Sequence, residues 1–182
     1  MDAFEPMRDF FHPRAAKNLN ERAGRVHLVN RRQESSRDNF VFPGTTYFDD
    51  IEVGGQRVGD VIYSLNPLLD RVYIHRIDID PTHQKQGIGL GVLWHLWLKH
   101  QVPIVPISQY GKSGGFWSLA RCRFAAAGAL IEPELRLCEL YDAKQRWQHL
   151  VPEPDPERLI RELRASADWP AIEASMKASA PS

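Results

Sequence analysis

Val72-Tyr73-Ile74-His75-Arg76-Ile77-Asp78-Ile79-Asp80-Pro81-Thr82-His83-Gln84-Lys85-Gln86-Gly87-Ile88-Gly89 is the stretch from which the fold can be read. Its first half carries β-branched Val72, Ile74, Ile77 and Ile79 and predicts a strand. Pro81 has no N–H to give to a ladder, so the strand should end there. From Leu90 the apolar residues take helical spacing, at Leu90, Leu93, Trp94 and Trp97. Gly87 and Gly89 lie between, where a missing Cβ lets backbone approach a ligand. A glycine loop at a helix N-terminus is an anion site, because the first N–H groups have no intrahelical acceptor and the helix dipole favours negative charge. A plain glycine turn is the alternative reading.

Upstream, Thr45 to Val53 and Gln56 to Leu65 alternate around Gly54-Gly55 and predict a hairpin with a primed turn. Arg25 to Arg31 reads as a first strand, with a polar loop over Gln33 to Asn39. Phe4, Met7, Phe10 and Phe11 recur at helical spacing and allow a short helix stopped by Pro13; an irregular docked arm fits equally. Downstream, Ile88 to His100 is apolar nearly all round and should be buried on more than one face. Pro103 to Ser108 is a short strand, with Pro106 marking an edge or a splayed end. Phe116 to Ala127 predicts a helix whose Phe116, Leu119, Ala120 and Phe124 share a face, capped by Gly128. Cys122, mid-helix, reads as buried and inert. Leu130 to Tyr141 holds one or two closing strands, and Pro152, Pro154 and Pro156 form a stiff break. A capping Asp155 should open a helix with Leu159, Ile160 and Leu163 as its stripe, and Asp168 to Lys177 suits a last short helix.

The chain has 182 residues, 43% hydrophobic and 25% charged, the make-up of one globular domain. Lys plus Arg and Asp plus Glu both number 23, so no global field draws nucleic acid or membrane. No run approaches a membrane span, residues 1–14 lack a signal-peptide core, and Cys122 and Cys138 show no metal spacing, which together predict a reduced cytoplasmic protein without metal. A Rossmann fingerprint fails at Val92 and a P-loop fails at Pro106, both of which would need a small residue.

Gln84-Lys85-Gln86-Gly87-Ile88-Gly89, between a strand and a helix, resembles the acyl-coenzyme A loop of the GNAT superfamily of N-acetyltransferases. The resemblance runs from about residue 25 to 141 and implies an α/β (α+β) fold: a mixed, mostly antiparallel sheet with a splayed centre, flanked by helices. Residues 1–150 would form this domain, with 1–24 as an arm and 151–182 as a helical extension packed on it. By the same resemblance, backbone N–H groups from Gln84, Lys85, Gln86, Gly87, Ile88, Gly89 and Leu90 cradle the diphosphate of acetyl-CoA. The backbones of Ile77 and Ile79 pair with its pantetheine arm. The implied activity is acetyl transfer to an amine-bearing acceptor, a small molecule or a protein, with a homodimer among the open arrangements.

Three departures qualify it. The family's two wall helices are missing, because only residues 32 to 44 separate the first two strands. The family's asparagine and its acid tyrosine in the second core helix fall at Trp117 and Phe124. His75 is then the candidate base and Tyr110 the first candidate acid, with Ser108 and Tyr73 behind it. A structural role fits each of these side chains too. Lys85 suits either a phosphate or solvent, and Asp78 and Asp80 suit a cationic acceptor or a loop cap. An acyl-CoA-binding regulatory module and an interaction protein with no nucleotide remain alternatives to the enzyme. The missing wall would be supplied by the N-terminal arm, the C-terminal helices or a second subunit.

Overall fold

The structure, a computed structural model, describes residues 5–108 and 113–178. It divides into two compact units, 1–150 and 151–182.

In the first unit, helix α1 (Glu5–Ala23) leads into strand β1 (Val26–Glu34), and then β2 (Thr45–Val53), β3 (Gln56–Leu65) and β4 (Val72–Ile79) follow. Helix α2 (Ile88–His100), strand β5 (Ile104–Pro106), helix α3 (Gly114–Ala126) and a short helix α4 (Leu140–Gln145) complete it. The sheet order is β1-β2-β3-β4-β5, antiparallel except for the parallel pair β4–β5. The hairpin turns at Gly54 and Gly55, whose φ of 61° and 78° are the left-handed values a primed turn needs.

The two sheet faces bury different clusters. Val72 and Ile74 of β4 join Leu19 and Ala23 of α1, most of α2, and Trp117, Ala120 and Phe124 of α3. Tyr73, between them, faces the other way with Val41, Val105, Ile107 and Trp147. Burial on this scale, at roughly 25 cal/mol per Å² of apolar surface, is what holds three helices on one face. The opposite face over β2 and β3 is polar: Arg57 bonds Asp50 at 2.8 Å, and Arg76 pairs with Asp60.

Several expectations are corrected. The N-terminal helix does not stop at Pro13 but passes through it to Ala23. The proline costs one helical bond, and burial of Leu19 and Ala23 against the core offsets that. Leu130 to Tyr141 forms no strand, only single parallel bridges of Ile131 to Ile104 of β5 and of Leu135 to Ile107 just after it, then a 3-10 turn and α4. Pro133 interrupts the run and has no N–H to carry a ladder. Cys122 is exposed, because Ala120 and Phe124 hold the buried face and Cys122 lies on the other side. Leu119 is exposed and Trp117 takes its place in the core.

In the second unit, α5 (Asp155–Ala165) and α6 (Trp169–Ala178) follow the prolines. Asp155 does not cap α5: Pro154 holds the cap position, and Asp155 sits inside the first turn, paired with Arg158 at 3.0 Å. Among the described residues, no helix is long and apolar enough to cross a membrane.

Candidate functional site

The site begins where β5 leaves β4. Only Val72, Tyr73 and Ile74 pair with β5, and the last rung is the Ile107 N–H donating to the Ile74 carbonyl at 2.9 Å. Beyond it, among the described residues, β4 runs on to Ile79 against β3 alone. Asp78 pairs with Asp60, and the Asp80 N–H donates to the Val58 carbonyl at 2.9 Å. Backbone groups alternate sides along an antiparallel strand, so those of Ile77 and Ile79 point away from β3 into the gap. The register slips between Ile62 and Tyr63, which places an extra residue, His75, as a bulge on β4 at the head of the gap.

A cavity of about 960 Å³ occupies the gap, at the upper end of the roughly 300–1,000 Å³ usual for ligand pockets. β4 and the start of α2 line it, together with Ser108 after β5, Ser113 before α3, Trp117 and Arg123 of α3, and Asn18 and Arg22 of α1. Among the described residues, its charged lining residues are Arg22, Arg76, Lys85 and Arg123 against Asp78 alone, and Arg76 is paired with Asp60. In a chain of formal net charge zero, that is a local excess of cations suited to a polyanion.

The loop itself is shaped by close approaches. The Gln84 amide donates to the Ile79 carbonyl at 2.8 Å, which holds the loop onto the end of β4 and occupies that carbonyl. Gly87 is the cap residue of α2 at φ 80°, and no side chain caps the helix, so its first-turn N–H groups stay open to a ligand. A Cβ on Gly87 would fall 1.6 Å from Arg22 Nη1, and one on Gly91 would fall 2.8 Å from the Arg22 carbonyl oxygen. Helix α1 is therefore pressed onto the glycine loop, with the Arg22 guanidinium, held by Asn18 at 2.9 Å, lying over it. Trp94 Nε1 donates to Asn20 at 2.6 Å and ties the same two helices.

No family model, curated protein or solved structure matches this chain.

Of the residues singled out from the sequence, Ile77, Ile79, Gln84, Lys85, Gly87, Ile88, Gly89, Leu90, His75, Asp78 and Ser108 all line the cavity. Gln86 does not: its amide donates to the Thr82 carbonyl at 3.2 Å, and its side chain borders a smaller pocket with Arg22 and Arg25. Tyr73 is buried against Phe40 and Trp147, away from the gap. Tyr110 lies outside the described residues. Phe124 is fully buried, with its ring edge-on to Trp94 at 5.1 Å. Arg22, Asn18, Arg123 and Ser113 were not found by sequence reasoning. Asn18 and Arg22 do show the one-turn spacing of a helical polar pair, but that spacing says nothing of what lies opposite. Among the described residues, no cluster of His, Cys, Asp and Glu is placed to hold a metal ion.

His75 Nε2 is hydrogen-bonded to Ser64 Oγ on β3. Burial pushes the imidazole down to about 4, so it is neutral at physiological pH. Its ordinary value is 6.5, so between pH 6.5 and 4 the unfolded chain takes up a proton that the folded chain refuses. Stability must then rise with pH across that window and fall as pH drops through it. The expected loss is about 3 kcal/mol between neutral pH and pH 4, at about 1.4 kcal/mol per pH unit. His95 and His100, also lowered by burial, act in the same direction. Urea titrations at several pH values should show this slope, and His75→Gln should make it shallower. An unchanged slope in that variant would mean His75 titrates normally.

Proposed function

We propose that this protein binds an acyl-coenzyme A in the manner of the GNAT superfamily and transfers the acyl group to an amine. The observation that carries this is the continuity of three features: a β4 edge open at Ile77 and at the Ile79 N–H, an uncapped helix N-terminus behind Gly87, and a cationic cavity joining them. A pantetheine arm carries amides that match the free backbone edge. A diphosphate matches the open N–H groups and the cations Arg22, Lys85 and Arg123. Helix α1 then supplies a wall that residues 32 to 44 are too few to build.

The reaction joins the acceptor nitrogen to the acyl carbon, breaks the carbon–sulfur bond, and moves one proton from the amine to the thiolate. The acceptor must be neutral to attack. Phe124 has no proton to give, so the donor is another hydroxyl or water. Ser108 and Ser113 line the cavity, and the Ser113 hydroxyl has no protein partner among the described residues. Tyr110 stays a candidate from its place after β5. A reduced or regulatory role is the second reading, favoured by the burial of Phe124.

Thiol release from acetyl-CoA across a panel of primary amines tests the enzyme reading. Release that requires both protein and a particular amine is expected. Acetyl-CoA binding without release on any amine would favour the regulatory reading.

A further inference from the structure

Ser64 sits on β3 opposite Tyr73, and its side chain shares a face with His75 because the β4 bulge turns the imidazole toward it. Ser64 is fully buried, at 0% exposure. Among the described residues, its hydroxyl has one hydrogen-bond partner, His75 Nε2. A hydroxyl hydrogen buried without an acceptor costs about 1–3 kcal/mol, whereas a spare lone pair on the oxygen costs less. The Ser64 O–H therefore donates to Nε2. That makes Nε2 the unprotonated nitrogen and leaves the ring hydrogen on Nδ1.

We infer that Ser64 is a positioning residue: it fixes the Nδ1–H tautomer of His75, so that this histidine donates a hydrogen bond into the gap and does not act as the base. The target, the oxygen of the acyl carbonyl, rests on the acyl-CoA reading; the tautomer does not. When the amine attacks, the carbonyl electrons move onto that oxygen. A neutral N–H donor stabilises the charge while keeping its own proton. Collapse returns the electrons to the carbonyl and expels the thiolate. The amine proton leaves by another group or by water.

The surroundings fit a neutral donor. Arg76, next along β4, is neutralised by Asp60 of β3, and Asp78 is exposed at the far end of the strand. Tyr73 precedes on β4 and is buried in the cluster on this face. Ser108 and Ser113 face the cavity from the β5 side and carry no charge. Protonating the ring would also put a hydrogen on Nε2 and strip the Ser64 hydroxyl of its acceptor, which opposes protonation in the same direction as burial.

Nitrogen NMR of histidine-labelled protein without ligand reads the tautomer directly. The expected result is an Nδ1–H pattern for His75, unchanged from about pH 8 to about pH 5. Ser64→Ala should give a mixed or reversed tautomer, and Ser64→Thr, which keeps the hydroxyl, should restore it. With acetyl-CoA labelled at the acyl carbonyl carbon, the bound resonance should move downfield in the wild type. That displacement should be lost in His75→Ala and reduced in Ser64→Ala, while affinity for coenzyme A stays within about two-fold. An Nε2–H pattern in the wild type, or titration near the ordinary histidine value, would overturn the inference even if every variant failed to fold. A carbonyl resonance that does not move while acetyl-CoA binds would overturn the donor role. Failure of acetyl-CoA to bind at all would sink the acyl-CoA reading instead, with the tautomer measured independently.

Discussion

Gly87→Asp is expected to weaken coenzyme A binding at least about 100-fold, a loss of about 2.7 kcal/mol, in a chain that still folds. The backbone there is left-handed at φ 80°, which aspartate tolerates at a cost of about 1–3 kcal/mol. The new Cβ would meet only the end of the Arg22 side chain, which can swing aside. The carboxylate would then sit at the open N–H groups of α2, draw Arg22 into an ion pair and repel a phosphate. Arg22→Ala removes the cation without adding an anion and should cost about ten-fold, or about 1.4 kcal/mol. Calorimetric titration with coenzyme A measures both. Wild-type affinity in a folded Gly87→Asp protein would show that the anion site lies elsewhere.

Gly59→Ala should destabilise the first unit by about 3 kcal/mol or more, a large effect for one methyl group. A Cβ on Gly59 would fall 2.1 Å from the Asp78 carbonyl oxygen, and backbone cannot rotate away as a side chain can. The strain would push β4 off β3 in the very segment that presents Ile77 and Ile79 to the gap. Gly114→Ala is a fair control, since none of the described residues lies within 4 Å of a Cβ there. Urea unfolding should separate the two variants. A Gly59→Ala protein within about 0.5 kcal/mol of the wild type would mean that the β3–β4 ladder widens at Gly59 without cost.

The elements with strong local signals were legible in the sequence. The hairpin strands Thr45–Val53 and Gln56–Leu65 and the helix Ile88–His100 fall where Gly54-Gly55, Gly87 and the apolar spacing put them. These are boundaries set by backbone conformations that glycine alone adopts readily. Features set by tertiary contact were not legible. Pro13 reads as a stop until the packing of Leu19 and Ala23 is known. Leu130 to Tyr141 reads as strand, but its partner β5 is too short to hold more than single bridges. For the site, the loop and the β4 edge were visible because they lie in one continuous stretch. Arg22 was not, since it reaches Gly87 only because Gly91 lets the backbones of α1 and α2 touch. Ser64 was not, since its meeting with His75 depends on a one-residue bulge that no local pattern marks.

The central claim is that the gap between β4 and β5, with the glycine loop behind it, takes an acyl-coenzyme A. Its most direct test is thermal unfolding of the wild-type protein with acetyl-CoA, beside pantetheine, which lacks the phosphates. At about 100 times its dissociation constant, a ligand of the folded state adds about 2.7 kcal/mol. For a chain of this size that is a rise of about 5–10 °C in the melting midpoint. Such a rise is expected with millimolar acetyl-CoA and a much smaller one with pantetheine. No rise with acetyl-CoA at that concentration would contradict the claim.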